Sequence, residues 1–223
     1  MSDFTIHTVP GSPYARAVLL TLEEKGETWD LVPLTPGAHR GPGHLARQPF
    51  GRMPAFDHAG FQIYETQAIL RYLDRVLPAP PLTPSDARCE ARMNQIIGIT
   101  DWYFMPQVGA PIVFPRLVGP RLGIPVSDAG IAAALPAAVH CVGEIARLLG
   151  DHPFMAGDAL SLADLMIAPH LSMLAETPEG QDMLAAHQHL TAWLGRIEDR
   201  ASMRNTTWDA LDARVNAPLA RAV

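Results

Sequence analysis

Cysteine is scarce in this chain. Cys89 and Cys141 are the only two among 223 residues, and they form no CxxC pair. A disulfide framework is not expected, and reduced thiols fit a cytoplasmic protein. Charge is sparse as well: charged residues make up 18%, no basic run occurs, and Lys+Arg 17 against Asp+Glu 23 leaves a net charge of −6. That balance makes the chain a poor candidate for binding nucleic acid through clustered cations on the phosphate backbone. No uninterrupted apolar stretch reaches the ~18 residues of a membrane helix, so no membrane span is expected. The opening MSDFTIHTVPG has no basic segment followed by an apolar one, so no secretory leader is expected either. There is no internal repeat, and Gly 17 with Pro 21 is too little for a low-complexity chain.

What is present is hydrophobic residues, 48% of the chain. A protein of this size buries roughly 70% of its unfolded surface, enough to fold without metal or disulfide. Residues 1–77 mix strand and helix signals. Phe4–Val9 and Trp29–Leu34 read as strands, and Pro54–Asp57 and Phe61–Tyr64 flank a hairpin turn at His58-Ala59-Gly60. Ala15, Val18, Leu19 and Leu22 follow the helical period, with Ser12 at the N-cap, Pro13 at the first turn and Gly26 past the end. Ile69, Tyr72, Leu73 and Val76 predict a second helix. The proline-rich stretch 78–85 reads as a linker. Beyond it, over 86–223, strand signals vanish. Ser85 and Ser127 are candidate helix caps, Ser161-Leu162-Ala163-Asp164 is a capping box, and Leu190, Trp193, Leu194 and Ile197 repeat the helical period. The expected architecture is an α/β domain followed by an all-α domain. The tail beyond Trp208 (Leu211, Val215, Leu219) is a weakly periodic last helix, placed over the mouth of the active site as an expectation.

Two segments carry chemistry. In Gly11-Ser12-Pro13-Tyr14-Ala15-Arg16 a hydroxyl stands where a helix begins, amid free N–H groups and about half a positive charge. It can donate a hydrogen bond to an anion, with Arg16 one turn on adding positive potential. An ordinary capping serine explains the same residues. The loop is not a GxSxG elbow, and the Ser12 and Ala15 positions lack the thiols of a redox pair. In the second segment, Gln48-Pro49-Phe50-Gly51-Arg52-Met53-Pro54 enters a strand. A cis Met53-Pro54 bond would turn the Met53 main chain outward to an extended ligand; a trans edge proline remains open. Beyond the hairpin, Glu65 can receive an ammonium, and Thr66 can offer a hydroxyl and an N–H to a carboxylate. That pair suits an α-amino-acid head group, though a plain acidic first turn reads the same.

These motifs, in this order, resemble the glutathione transferase superfamily over nearly the whole chain. The matching stretches are Ser12 to Arg16, Gly37-Ala38-His39-Arg40, Gln48 to Phe56, Glu65 to Leu73 and the capping box. The likeness is greatest to the serine-type enzymes, the phi class and related bacterial forms. It implies a thioredoxin-like domain that binds glutathione as cosubstrate, and a helical domain. Ser12 corresponds to the serine that stabilises the glutathione thiolate. His39 and Arg40 correspond to a His-Lys pair at the glycyl end, and Arg52 to a glutamine near the peptide. Met53, before Pro54 at the cis-proline position, pairs through its main chain with the cysteinyl unit, and Glu65 with Thr66 corresponds to the Glu-Ser clamp on the γ-glutamyl head. Phe50 corresponds to an aromatic inserted into a partner subunit, which implies a homodimer. Gln48 stands where the family usually has Asn. With Ile6, His7 and Thr8 where tyrosine-type relatives keep their Tyr, Ser12 is the expected catalytic residue and Tyr14 the reserve.

The implied reaction is conjugation of the thiolate to a hydrophobic electrophile, a detoxification chemistry. Glutathione peroxidase or isomerase activity, and a non-catalytic binding module of the same fold, are the alternatives. The electrophile site is expected between the domains, near Trp102, Tyr103 and Phe114. Such an aromatic stripe usually belongs to the core, and Tyr103 is the residue placed at the pocket rim. His187-Gln188-His189 lacks adjacent acidic or thiol ligands, so no metal is expected.

Overall fold

The computed structural model describes residues 2–35 and 37–216, which divide into two compact units: one up to Pro80 joined by the residues from Asp199 on, the other Pro81–Glu198. The first unit opens with β1 (Phe4–Thr8), α1 (Pro13–Glu24) and β2 (Asp30–Pro33). A short 3₁₀ turn (Ala38–Arg40) and α2 (Pro42–Leu45) follow, then the hairpin β3 (Ala55–His58) and β4 (Phe61–Tyr64), then α3 (Thr66–Val76). The sheet order is β2-β1-β3-β4, with β1 parallel to β2 and the other pairs antiparallel. Phe4, Ile6 and Thr8 alternate inward on β1, and α1 and α3 bury Leu19, Leu22, Ile69, Leu70 and Leu73. The hairpin turns on Ala59 and Gly60, both at positive φ, within the expected His58-Ala59-Gly60 triplet, with His58 added to the end of β3. The buried Lys25 ammonium, 2.6 Å from Asp74, ties the end of α1 to α3. Such a pair offsets its own desolvation only because both partners are present.

The second unit holds α4 (Ala87–Ile99), α5 (Asp128–Leu149), α6 (Leu162–Ala175), α7 (Pro178–Ala185) and α8 (Gln188–Glu198). Asp86, not Ser85, caps α4, its carboxylate accepting the Arg88 and Cys89 N–H groups at 3.0 Å. The helix then continues as a wide π-wound stretch, Thr100–Val118, through Pro106, Pro111 and Pro115. Its wider winding shows in the Gly119 N–H, which reaches back five residues to the Phe114 carbonyl at 2.8 Å. The capping box of α6 is built as expected. The Asp164 carboxylate, fully buried, accepts from Ser161 N–H and Oγ–H, Met155 N–H and Trp193 Nε1–H at 2.7–2.9 Å. Helix α5, 22 residues long with a mean hydropathy of 1.5 over its most apolar window, meets the length and composition of a membrane span despite the expectation from uninterrupted runs. One face of it, with Ile131, Ala138, Val142, Ile145 and Leu149, is buried in the core of this unit.

The residues from Asp199 on were expected in the helical domain, yet they return to the first unit as α9 (Ala201–Asn205) and α10 (Trp208–Asn216). Arg200 forms a paired ion bridge with Glu24 at 2.6 and 2.7 Å. Asn205 reaches Glu23, and the Arg214 guanidinium lies 3.8 Å over the Trp29 ring. Of the residues named for this tail, Leu211 is buried and Leu219 lies outside the described residues.

Candidate active site

Strand register alone collects the sequence-derived site at one end of one sheet. His7 on β1 pairs with Ala55 on β3, and Ala55 pairs with Tyr64 on β4. Val9 to Ser12 leave β1 past that row, Met53-Pro54 lead into β3 at it, and Glu65-Thr66 leave β4 from it. Because β2 is parallel to β1, with Thr8 opposite Pro33, the chain toward His39 and Arg40 exits at the same end.

Ser12 caps α1 from an extended backbone, its Oγ accepting the Ala15 N–H at 3.3 Å. The bond uses a lone pair and leaves the hydroxyl proton to donate elsewhere. Capping and thiolate stabilisation are therefore compatible on one oxygen. The Arg16 guanidinium, one turn past Ser12, donates to the Met203 carbonyl at 2.8 Å and to Thr206 at 3.3 Å, anchoring α9. That partner lies far along the chain and has no local signal.

The Met53-Pro54 peptide is cis. Among the described residues, the N–H and C=O of Met53 have no hydrogen-bond partner. The loop before it hangs on two buried polar side chains that sequence reasoning gave no role. Gln48, 1% exposed, accepts the N–H groups of Phe50 and Arg52 at 2.8 and 3.0 Å through Oε1. His44 donates from Nε2 to the Arg52 carbonyl at 2.7 Å. The only signal for either is a polar residue beside a glycine-containing loop, which many exposed loops share.

Glu65 is exposed and sits at φ 71, ψ 112, a strained backbone for a non-glycine residue. Thr66 is buried, with its hydroxyl 3.5 Å from the Tyr14 carbonyl, so the start of α3 adjoins the Ser12 loop. The N–H groups of Thr66 and Gln67 open α3 and have no intrahelical acceptor. On the other side, His39 is held below the ordinary histidine range by desolvation and then by the positive fields of Arg40, His44 and Arg52. The side chains of Arg40 and Arg52 have no counter-ion among the described residues. A half-buried neutral imidazole flanked by guanidiniums attracts a carboxylate.

The aromatic stripe of the second unit divides. Phe104 enters the core edge-on to His170, while Trp102 and Tyr103 stand 76% and 55% exposed. No cluster of three or more His, Cys, Asp or Glu suited to a metal occurs among the described residues. Burial raises the Cys141 thiol to about 11, which leaves it protonated and unreactive at neutral pH.

Residues 6–81 match the family described as glutathione S-transferase, N-terminal domain, and residues 128–196 match glutathione S-transferase, C-terminal domain. The chain is 30% identical over 184 residues to the probable glutathione S-transferase GSTF2 of rice (Oryza sativa subsp. japonica), covering 81% of this chain and 85% of the relative. It is 29% identical over 213 residues to glutathione S-transferase 3 of maize (Zea mays), covering 92% and 94%. A solved structure of maize glutathione S-transferase I in complex with an atrazine glutathione conjugate superposes with a TM-score of 0.81 at 26% identity, covering 96% of this chain and 99% of that one. Fold, site geometry and these matches together show that the chain belongs to the glutathione S-transferase family of enzymes, with its likeness to the F-type, phi-class members.

Proposed function

We propose that this enzyme binds glutathione across the sheet end described above and transfers its sulfur to a hydrophobic electrophile. Glu65 and Thr66 take the γ-glutamyl head, Met53 pairs through its main chain with the cysteinyl unit before Pro54, and His39, Arg40 and Arg52 receive the glycyl carboxylate. Ser12 donates its free proton to the sulfur. The atrazine glutathione conjugate in the maize structure supports a product of this kind.

The energy suffices. A free thiol with a pKa near 8.5 is about 3% ionised at pH 7, and lowering that pKa by about two units takes about 2.7 kcal/mol. A hydrogen bond to a charged acceptor contributes about 1.5–3 kcal/mol and a helix start about 0.3–1 kcal/mol. No metal or acid-base pair is needed for the step. The Ser12 geometry, with Oγ committed as acceptor and open as donor, carries this reading. Ser12→Ala is expected to lower turnover at neutral pH by about 4- to 25-fold, because the thiolate fraction falls by that ratio when a hydrogen bond of about 1.5–3 kcal/mol is lost, with little change in glutathione affinity. An unaltered turnover would remove Ser12 from the role.

On the same reading Tyr103 contacts the electrophile, its exposed ring offering an apolar face and a polar tip. Phe50, 72% exposed, inserts into a second copy to make a homodimer. The reaction, a detoxifying conjugation, belongs in a reducing cytoplasm, where Cys89 and Cys141 stay free.

A further inference from the structure

We propose that His44 is a positioning residue of the glutathione site, acting through the single peptide group that joins Arg52 to Met53. The proposal rests on the reading that the Met53 N–H is a ligand donor.

His44 is 4% exposed in α2, with Nε2 2.7 Å from the Arg52 carbonyl. A carbonyl only accepts, so Nε2 carries the proton, and in the neutral ring Nδ1 is bare. Nδ1 is buried with no hydrogen-bond partner among the described residues. An orphaned buried polar atom is costly, and an aromatic hydrocarbon of similar shape would avoid that cost. Packing alone therefore does not call for a histidine here; the donor on Nε2 does.

The oxygen it holds and the Met53 N–H are opposite ends of one planar amide. A donor on the oxygen fixes the plane and polarises the N–H at its far end, strengthening the next hydrogen bond in the chain. The preceding amide is clamped as well, with the Arg52 N–H on Gln48 Oε1 at 3.0 Å. Two buried side chains thus hold Arg52 by both its polar main-chain groups. The next N–H along the chain, that of Met53, has no partner among the described residues. The series runs from imidazole to amide to the carbonyl of the ligand's cysteinyl unit.

The test follows the Met53 amide resonance of the full-length protein during titration with glutathione, with the dissociation constant measured by calorimetry. It compares the wild type with His44→Phe (His44→Met where the phenylalanine variant does not fold) and His44→Gln. Saturation is expected to move the wild-type Met53 proton downfield. The donor-free variant is expected to show a smaller movement and an affinity weaker by about 5- to 10-fold, on the scale of one neutral hydrogen bond. His44→Gln, which keeps an N–H donor, is expected to recover most of both, a rescue that a purely structural role would not produce in the resonance. A donor-free variant with wild-type shift and affinity overturns the positioning role while leaving the reading of the site intact. A wild-type Met53 amide that ignores bound glutathione overturns the reading of the site, and the proposal with it.

Discussion

Gly11 joins β1 to the Ser12 cap, and its surroundings define a sharp perturbation. It sits at φ +85, and a Cβ there would overlap Cε3 and Cδ2 of Trp208 and lie 2.6 Å from Cζ3. Gly11→Ala therefore meets two separate costs. A left-handed backbone costs a non-glycine residue about 1–2 kcal/mol. Overpacking against the indole adds about 1–3 kcal/mol. The substitution should destabilise the protein by about 2–5 kcal/mol. In a Trp208→Ala background the ring is gone, and only the backbone part, about 1–2 kcal/mol, remains. Urea unfolding of the four proteins of this cycle yields the coupling directly, expected at about 1–3 kcal/mol. Conjugating activity should fall in Gly11→Ala, where Ser12 is displaced, and recover in part in the double variant. An equal cost of Gly11→Ala in both backgrounds would refute the seating of α10 on the Ser12 loop.

Two further outcomes are expected. Burial lowers the His170 imidazole to about 4, with its Nδ1–H on the Met166 carbonyl opposing weakly. The unfolded histidine titrates near 6.5, so between those values the unfolded chain binds the extra proton. Stability is then complete above pH ~6.5 and declines as the pH falls toward 4, by about 2 kcal/mol at pH 5. His170→Gln should flatten that slope in unfolding measured from pH 7 to pH 5, and an unchanged slope would show that another group governs it. For the exposed Phe50 ring, Phe50→Ala should shift the sedimenting mass from dimer toward monomer, and a wild-type protein that sediments as a monomer would exclude the homodimer.

Local chemistry was legible in the sequence, and distant chemistry was not. The Ser12 cap and the Ser161–Asp164 box are fixed by residues three apart, so spacing reveals them. The order of strands and turns reveals the sheet end that gathers Ser12, Met53 and Glu65. Asp86 displaced Ser85 as a cap because either residue can serve and only the geometry chooses. The π-wound stretch went unforeseen because the apolar residues from Phe104 to Val118 follow no single helical period. Arg16 hydrogen-bonds to Met203 and Thr206, and Arg200 pairs with Glu24, across separations that no local pattern encodes. His44 escaped notice, and Gln48 was noted without its role, for a related reason: buried polar residues that hold main-chain groups leave no periodic trace.

Thiolate stabilisation by Ser12 is tested most directly by a spectroscopic titration of the sulfur of bound glutathione in the wild type and in Ser12→Ala. In the wild type the sulfur is expected to ionise about two pH units below a free thiol, with the midpoint moved back toward the free value when the hydroxyl is removed. Identical midpoints in the two proteins would contradict it.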